Sequence, residues 1–179
     1  MSVRRISVVG NSGSGKTTLA RALASRLDVP HVEIDSLNHQ AGWTPTPPDR
    51  LRVAVASRLA EDGWVVDGNY FTAGVQDVVW SLADTVVWVD PHRAVVMWQV
   101  ATRSLRRAIT RAELWNGNRE PWRNLLSLDP EQSVVAWAWA RHRWYRSRYV
   151  AAMRDPAWSH LRFIRLRSRH DAARLLRGL

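Results

Sequence analysis

Residues 10–17 carry the clearest chemical signature in this sequence. They are Gly-Asn-Ser-Gly-Ser-Gly-Lys-Thr and match the pattern G-x-x-x-x-G-K-[ST] at every defined position. In such a loop, glycines let the backbone approach phosphate oxygens, and successive N–H groups face one concavity at a helix N-terminus, whose dipole favours anions. Lys16 is predicted to reach the β- and γ-phosphates of a nucleotide, and the Thr17 hydroxyl to ligate Mg²⁺. The predicted nucleotide-binding residues are Gly10, Asn11, Ser12, Gly13, Ser14, Gly15, Lys16, Thr17 and Thr18.

Two aspartates follow short apolar segments that are predicted to be strands. They are Asp35 and Asp67. In a parallel sheet, ligands bind beyond the carboxyl ends of the strands. A carboxylate at Asp35 would orient an acceptor hydroxyl and take its proton, although an aspartate there equally serves as a turn cap. Asp67 ends a strand beside the phosphate loop, which favours a functional role over a structural one.

Arginine supplies 25 of the 26 basic side chains, and the one lysine is Lys16. The segment 103–123 is rich in arginine and has no apolar periodicity. This composition predicts a lid that closes over the nucleotide, excludes water and brings cations to the phosphates. The arginines of the predicted lid are Arg103, Arg106, Arg107, Arg111, Arg119 and Arg123.

Eleven tryptophans are many for a chain of this length. Three of them, Trp88, Trp98 and Trp137, fall on predicted core faces. Others in loops or the lid are placed to stack on a base, namely Trp43, Trp115 and Trp122. Basic residues interleaved with aromatic ones also describe single-stranded nucleic-acid surfaces, but no recognised nucleic-acid motif is present.

The elements that must position these residues alternate between strand and helix. Predicted strands cover 5–9, 32–34, 64–66, 85–89 and 160–166. Predicted helices cover 17–27, 47–62 and 91–102, a long segment from Asp129-Pro130 to Tyr149, and a short one at the C-terminus, while 36–46 is a predicted loop. The predicted helix over 91–102 runs through Val95, Trp98 and Thr102, and Trp98 lies on its predicted core face. This alternation predicts an α/β fold with a parallel sheet between two helical layers.

Composition limits the remaining function classes. The length of 179 residues suits one domain, 1–179, and the absence of cysteine excludes disulfides and thiolate metal sites. No apolar run approaches the roughly 20 residues needed to span a bilayer, and no secretory signal is evident, so a cytoplasmic protein without a membrane partner is expected. The net charge of +10 fits polyanionic ligands, either nucleotides or nucleic acid.

Several segments beyond the phosphate loop carry a resemblance to a known family. Residues 64–70 and 83–91, with Arg103 and Arg107, resemble the adenylate-kinase-like group of P-loop kinases. Residues 35–43 and 137–139 make the chain more similar to bacterial DNA topology modulation proteins, small ATPases related to adenylate kinase. The resemblance covers nearly the whole chain.

This resemblance implies a three-layer P-loop NTPase fold. Its five-stranded parallel sheet would have the order 2-3-1-4-5, with an arginine-rich helical lid at about 103–123. It also implies that Asp67 helps to hold Mg²⁺ through water, and that Arg103 and Arg107 act against the adenine and the transferring phosphoryl group. Adenylate kinases have Phe-Pro-Arg where this chain has Asn69-Tyr70-Phe71, so it lacks an arginine that helps them bind a nucleoside monophosphate.

Together these features predict a kinase-like phosphotransferase that uses ATP and Mg²⁺, with GTP as an alternative donor and a small hydroxyl or phosphate compound as acceptor. Its predicted catalytic residues are Lys16, Asp35, Arg103 and Arg107; its metal residues are Thr17 and Asp67; and its acceptor residues are Asp35, Trp43, Asn69 and Tyr70. A regulatory ATPase that binds DNA or RNA is the less favoured alternative, and a nucleotide sensor with little turnover is a third. A monomer is expected.

Overall fold

A five-stranded parallel sheet forms the centre of the molecule, in the order β2–β3–β1–β4–β5. The computed structural model describes residues 4–71, 74–122, 124, 127, 129–130 and 132–179. The strands are β1 Arg5–Gly10, β2 His31–Glu33, β3 Trp64–Asp67, β4 Thr85–Val89 and β5 Arg162–Leu166. All five predicted strands are present within two residues of their predicted bounds, and the predicted fold class and strand order are confirmed.

Helices cover both faces of the sheet. In the described part of the chain they are α1 Lys16–Leu27, α2 Ile34–Asn38, α3 Pro48–Arg58, α4 Val75–Leu82, α5 Arg93–Thr110, α6 Val134–Ala152 and α7 Arg169–Arg177. Successive strand residues point to opposite faces. Val8 therefore packs in the layer with α1 and α7, and Val9 in the layer with α3, α4 and α6. Among the described residues, no helix has the length and apolar character needed to cross a membrane.

Three further differences from the predicted helices each have a local reason. Helix α2 begins at Ile34, so the segment after β2 is helical where a loop was predicted. Helix α4 was not predicted, because its eight residues are too few to display a clear period. Helix α6 begins after Ser133, whose side chain accepts a hydrogen bond from the Ala136 N–H, and not at Asp129-Pro130. The predicted lid residue Arg123 lies outside the described residues.

Helix α5 differs most from its prediction. It continues to Thr110, so Arg103 and Arg107 lie on a helix that also packs on the phosphate loop. Its buried face is Val96, Val100 and Ser104, and the prediction that Trp98 is buried was wrong, because Trp98 is 73% exposed. Of the other two tryptophans assigned to the core, Trp88 is buried and Trp137 is half-buried.

Candidate functional site

The phosphate loop joins the end of β1 to the start of α1. Gly15 precedes the helix in a left-handed conformation, and the Leu19 N–H donates to its carbonyl at 3.1 Å. The first amides of a helix have no partner within it. The N–H groups of Lys16, Thr17 and Thr18 therefore add to the positive end of the helix dipole at the loop, which is the arrangement that binds phosphate.

Side-chain hydrogen bonds tie this loop to other parts of the molecule. Asn11 donates to the Ala138 carbonyl of α6 at 2.7 Å and accepts from the Ser12 N–H at 2.9 Å. Asn69 binds both backbone groups of Gly10, accepting from its N–H at 3.1 Å and donating to its carbonyl.

Two further contacts complete the support of the loop. The Tyr149 hydroxyl, which is fully buried, donates to the Asn69 amide oxygen at 2.6 Å. Gly13 packs so closely on α5 that a Cβ there would lie 2.7 Å from the Val100 Cβ and 2.9 Å from the Val96 carbonyl oxygen. The core thus imposes the shape of the loop, and the Asn69 side chain, predicted to bind the acceptor, is occupied by this support.

Thr17 and Asp67, the two predicted metal residues, are in direct contact. The Thr17 hydroxyl donates to Asp67 Oδ2 at 2.5 Å, and His31 Nε2 lies 3.0 Å from Asp67 Oδ1. Asp67 is almost fully buried, at 2% exposure. His31 was missed by the sequence analysis, because a single histidine at the start of a strand has no spacing that singles it out.

The donor atoms of this pair fit Mg²⁺. A hydroxyl and a carboxylate are hard oxygen ligands, and Mg²⁺ is commonly bound by one or two protein oxygens together with nucleotide phosphates and water. The described residues contain no group of three or more His, Cys, Asp or Glu suited to a metal ion. A site with one hydroxyl and one carboxylate thus fits a Mg²⁺ ion that is bound together with nucleotide phosphates.

Asp35 and Tyr70 form a second contact pair at the end of β2. The Tyr70 hydroxyl donates to Asp35 Oδ1 at 2.5 Å. Burial, reinforced by the Asp35 charge, raises the pKa of Tyr70 far above its ordinary value, so the phenol stays protonated as a donor. This bond occupies one oxygen of Asp35. Since the residue is half-exposed, its other carboxylate oxygen is available to a ligand.

Arg103 brings positive charge to the region around Asp35, which we call the cleft. It is half-buried, and its buried Nε has no hydrogen-bond partner among the described residues. Burial and the nearby Arg107 lower the pKa of Arg103, while Glu120, Asp35 and Glu33 raise it. An arginine stays charged even so. The structure thus brings the predicted residues Arg103, Arg107 and Asp35 into one electrostatic neighbourhood, in which Arg107 lies 3.7 Å from Glu120.

Two surface segments, 36–43 and 113–119, dock on each other beside this cleft, and we call them together the latch. Asn116 donates to the carbonyls of Ser36 and His39, at 3.2 and 2.6 Å. Asn118 accepts from the Trp43 N–H at 2.9 Å and donates to the Gln40 carbonyl at 2.8 Å.

Aromatic rings pack between the two segments of the latch. The His39 ring stacks on Trp115 with centroids 5.6 Å apart, and Trp43 meets both rings edge-on. The indole N–H of Trp43 also donates to the Arg119 carbonyl at 3.3 Å. Trp43 was predicted to bind the acceptor, but its backbone N–H and its indole N–H both donate to the predicted lid segment. Asn116 and Asn118 were missed by the sequence analysis.

The remaining predicted cations and tryptophans lie away from the phosphate loop or face solvent. Arg106 and Arg111 are exposed, and Arg119 lies 3.8 Å from Glu113. Trp122 is 70% exposed. On α6, the Arg141 guanidinium lies over the Trp137 ring at 4.6 Å and that of Arg148 over the Trp144 ring at 5.0 Å.

The sheet order and the phosphate loop define a P-loop kinase-like fold. In agreement, the family model described as ATPase family associated with various cellular activities (AAA) matches residues 6–63, which include β1, the phosphate loop and α1. None of the curated proteins matches the sequence.

Three solved structures are similar to this protein over almost the whole chain. Shikimate kinase from Acinetobacter baumannii, in complex with shikimate, matches 99% of this chain and 90% of its own, with a TM-score of 0.51 and 16% identity. Shikimate kinase from Bacteroides thetaiotaomicron matches 99% and 96%, with a TM-score of 0.49 and 14% identity. A gluconokinase from Sinorhizobium meliloti 1021 matches 98% and 94%, with a TM-score of 0.49 and 18% identity. At this identity the first of these likenesses establishes the fold.

Proposed function

We propose that this protein is an ATP-dependent phosphotransferase whose acceptor is a small molecule with a hydroxyl or phosphate group. The observation that carries the proposal is the register of the three neighbouring strands β2, β3 and β1. The register pairs Val8 with Asp67 and Asp67 with Glu33. Because neighbouring strands lie about 4.8 Å apart, the end of β2 is roughly 10 Å from Val8 of β1, which lies two residues before the phosphate loop begins at Gly10. Asp35, just beyond β2, would thus face the phosphate loop across a gap suited to an acceptor.

The transfer step follows from these positions. The free oxygen of Asp35 would accept the proton of the acceptor hydroxyl. At the same time, the hydroxyl oxygen of the acceptor would form a bond to the γ-phosphorus. The bond between the γ-phosphorus and the bridging oxygen would break at the same time, and ADP would leave with that electron pair. Tyr70 would hold the Asp35 carboxylate in orientation through its hydroxyl. A carboxylate within hydrogen-bond reach of the hydroxyl is what general-base catalysis of this step requires.

Charge on the transferring group would be balanced from both sides of the cleft. Lys16 would contact the β- and γ-phosphates from the loop, and Arg103, with Arg107, from α5. Cations that are already in place in a partly buried site stabilise developing charge without reorganising at the moment of reaction. Thr17 and Asp67 would hold Mg²⁺, which when bound neutralises phosphate charge.

The test is transfer from γ-labelled ATP with Mg²⁺ to a panel of hydroxyl-bearing metabolites, nucleosides and nucleoside monophosphates. Lys16→Ala should abolish transfer. Asp35→Asn should lower it by roughly 10²–10⁴-fold, the usual contribution of a general base, and leave ATP affinity nearly unchanged. Tyr70→Phe keeps the carboxylate and should cost much less. A labelled product that survives Asp35→Asn at full rate would remove Asp35 from the mechanism, and release of free phosphate alone would contradict a transferase.

A second candidate function has its own supporting observation. The chain has a net charge of +10, and Arg141 and Arg148 lie on tryptophan rings along α6. Cationic and aromatic side chains in alternation bind single-stranded nucleic acid through phosphate contacts and stacking. This pattern favours the regulatory ATPase that the resemblance to DNA topology modulation proteins implies. Such binding should weaken steeply with salt and should stimulate hydrolysis, and salt-independent binding would contradict it.

A further inference from the structure

The carboxylate of Asp67 has one hydrogen-bond partner on each of its oxygens. The Thr17 hydroxyl donates to Oδ2, and His31 Nε2 lies 3.0 Å from Oδ1. Because an ionised carboxylate only accepts hydrogen bonds, the histidine nitrogen is the donor. In the described part of the chain, no other group hydrogen-bonds to Asp67, and its side chain is 1% exposed. His31 therefore satisfies an oxygen that is almost closed to solvent.

The sheet places His31 and Asp67 on the same face but at different heights. The register pairs His31 with Val65, two residues before Asp67. Val32 and Val66 pack in the opposite layer. Since successive strand residues point to opposite faces, His31 and Asp67 share the face that α1 covers. One strand across and two residues along amount to roughly 8 Å between their Cα atoms. The outer nitrogen of an imidazole spans this diagonal, whereas a shorter side chain does not.

The contact with His31 fixes the rotation of the carboxylate. The last torsion of an aspartate side chain is broad, so a carboxylate without support turns readily. A hydrogen bond to Oδ1 keeps the other oxygen, Oδ2, towards Thr17 at the start of α1. The Thr17 hydroxyl is itself a predicted metal ligand, so its oxygen would be engaged once a metal is bound. His31 has no such second task, and it is the partner that would remain.

We propose that His31 is a positioning residue of the magnesium site. It donates to Asp67 Oδ1 and thereby keeps Oδ2 available to a Mg²⁺ ion that is bound with nucleotide phosphates. Loss of a partner that orients a ligating carboxylate typically costs about 10–100-fold in metal affinity. The inference rests on the proposed function for the binding of nucleotide and Mg²⁺, and it depends neither on the acceptor nor on phosphoryl transfer.

Binding of mant-AMPPNP, a fluorescent ATP analogue that is not hydrolysed, to the full-length chain tests the proposal. Its dissociation constant is measured in EDTA and again with saturating Mg²⁺, and the first value divided by the second gives the contribution of the metal. A residue that only supports the fold weakens both measurements alike and leaves this ratio unchanged. A residue that positions a metal ligand lowers the ratio, because its effect requires the metal.

Variants of different length separate the hydrogen bond from the rest of the side chain. His31→Gln keeps an N–H about as far from the backbone as Nε2, and should hold the ratio within about twofold of the unsubstituted protein. His31→Asn ends one methylene group short, and His31→Leu has no donor, so each should lower the ratio about tenfold. Arg21→Gln breaks the contact with Glu33 between α1 and β2 without touching Asp67, and this matched control should leave the ratio unchanged.

The outcomes separate this inference from the proposed function. An unchanged ratio in His31→Asn and His31→Leu overturns the role of His31 and leaves the metal site intact. Equal losses in His31→Gln and His31→Asn also overturn it, because the donor would then not matter. A ratio of one in the unsubstituted protein overturns the metal role of Thr17 and Asp67, and that of His31 with it.

A double substitution tests whether His31 acts through Asp67. In an Asp67→Asn background no buried charge is left without a partner, so His31 can be replaced there even if a single variant fails to fold. His31→Asn should lower the ratio no further in this background, because two residues that act through one contact are not additive. A further loss of about tenfold would overturn the proposal, since His31 would then affect the metal by another route.

Discussion

The phosphate loop and the latch lie on the same side of the sheet but are held in different ways. The loop is fastened by core residues: Asn69, Tyr149 and Asn11 bind its backbone or the groups that support it, and α5 packs on Gly13. The two segments of the latch are held to each other by hydrogen bonds and by three packed rings, of which His39 and Trp115 stack and Trp43 lies edge-on. Deforming the loop therefore disturbs the core, whereas opening the latch exposes only two surface segments.

This difference matches the two tasks that the proposed reaction sets. A phosphate site works best when its donors are already in place, because stabilisation then costs no reorganisation. An acceptor site must open to exchange its ligands, and segments that open are those with few buried contacts. The following predictions test the comparison, from the largest expected effect to the smallest.

The same substitution should have very different effects at one glycine in each region. Gly13 and Gly117 both have positive φ, 80° and 77°. A Cβ at Gly13 would meet the Val100 Cβ at 2.7 Å, whereas one at Gly117 would meet nothing within 4 Å. Gly117→Ala should therefore cost only the backbone strain, about 1–2 kcal/mol. Gly13→Ala should add overpacking and cost about 2–5 kcal/mol in all. Urea unfolding measures both, and equal costs would mean that the loop is no more tightly packed than the latch.

Removing the support beneath the loop should be the next largest effect. Asn69→Ala leaves both backbone groups of Gly10 and the Tyr149 hydroxyl without their partner, and should lower the free energy of unfolding by about 2–4 kcal/mol. Binding of ATP should weaken with it, because the loop loses its fixed shape. Tyr149→Phe removes one of these bonds and should cost about 1 kcal/mol. If the two variants were equally stable, the contacts with Gly10 would contribute nothing.

Breaking the latch should affect local opening more than stability. Asn118→Ala removes the bonds to the Trp43 N–H and the Gln40 carbonyl, and should lower the free energy of unfolding by about 1 kcal/mol. Limited proteolysis within 36–46 and 113–119 should become several times faster, while ATP affinity changes by less than about twofold. Gln132→Ala, which removes a surface hydrogen bond to Asp129, is the matched control. Unchanged proteolysis would show that these bonds do not hold the latch closed.

The smallest expected effect is a pH dependence of the free energy of unfolding that arises from a buried histidine. Burial lowers the pKa of His142 on α6 below its ordinary value of 6.5, with Asp90 opposing the shift. Between the folded-state and unfolded-state pKa values of His142, the unfolded chain binds more protons than the folded one. The contribution of the neutral His142 to the free energy of unfolding is therefore complete above pH 6.5 and is lost as the pH falls. His142→Gln should flatten the fall in unfolding free energy between about pH 7.5 and 5.5. His170→Gln, at an exposed histidine of α7, should leave it unchanged.

Local patterns predicted much of this molecule. The phosphate loop is a contiguous motif, so its residues were found together, and Thr17 with Asp67 followed from the end of a neighbouring strand. Short apolar runs that end at glycine or aspartate predicted β1, β2, β3 and β4 within two residues, and β5 was predicted to the same accuracy without such an ending. The strand order was implied by the resemblance, because pairing between strands distant in the chain leaves no local signal.

Features that depend on distant contacts were missed. Asn116 and Asn118 bind partners about 75–80 positions away, and asparagines in a turn look like any loop residue. On α5, the two apolar stripes are equally good candidates for burial by sequence, and the contact between Gly13 and Val100 decides which one packs inside. The sequence analysis placed Trp98 on the core face, because the spacing of apolar residues within one helix cannot reveal which of two stripes packs inside.

The two outer strands of the sheet also govern how the protein behaves at high concentration. An unpaired strand edge can recruit strands from other chains and start aggregation. Here one edge, β2, has only three residues, and the other, β5, begins with the exposed Arg162 and carries Arg165, whose guanidinium binds Asp90. Short strands and edge charges both discourage such additions. The sheet should therefore resist amyloid-like growth without any separate protective element.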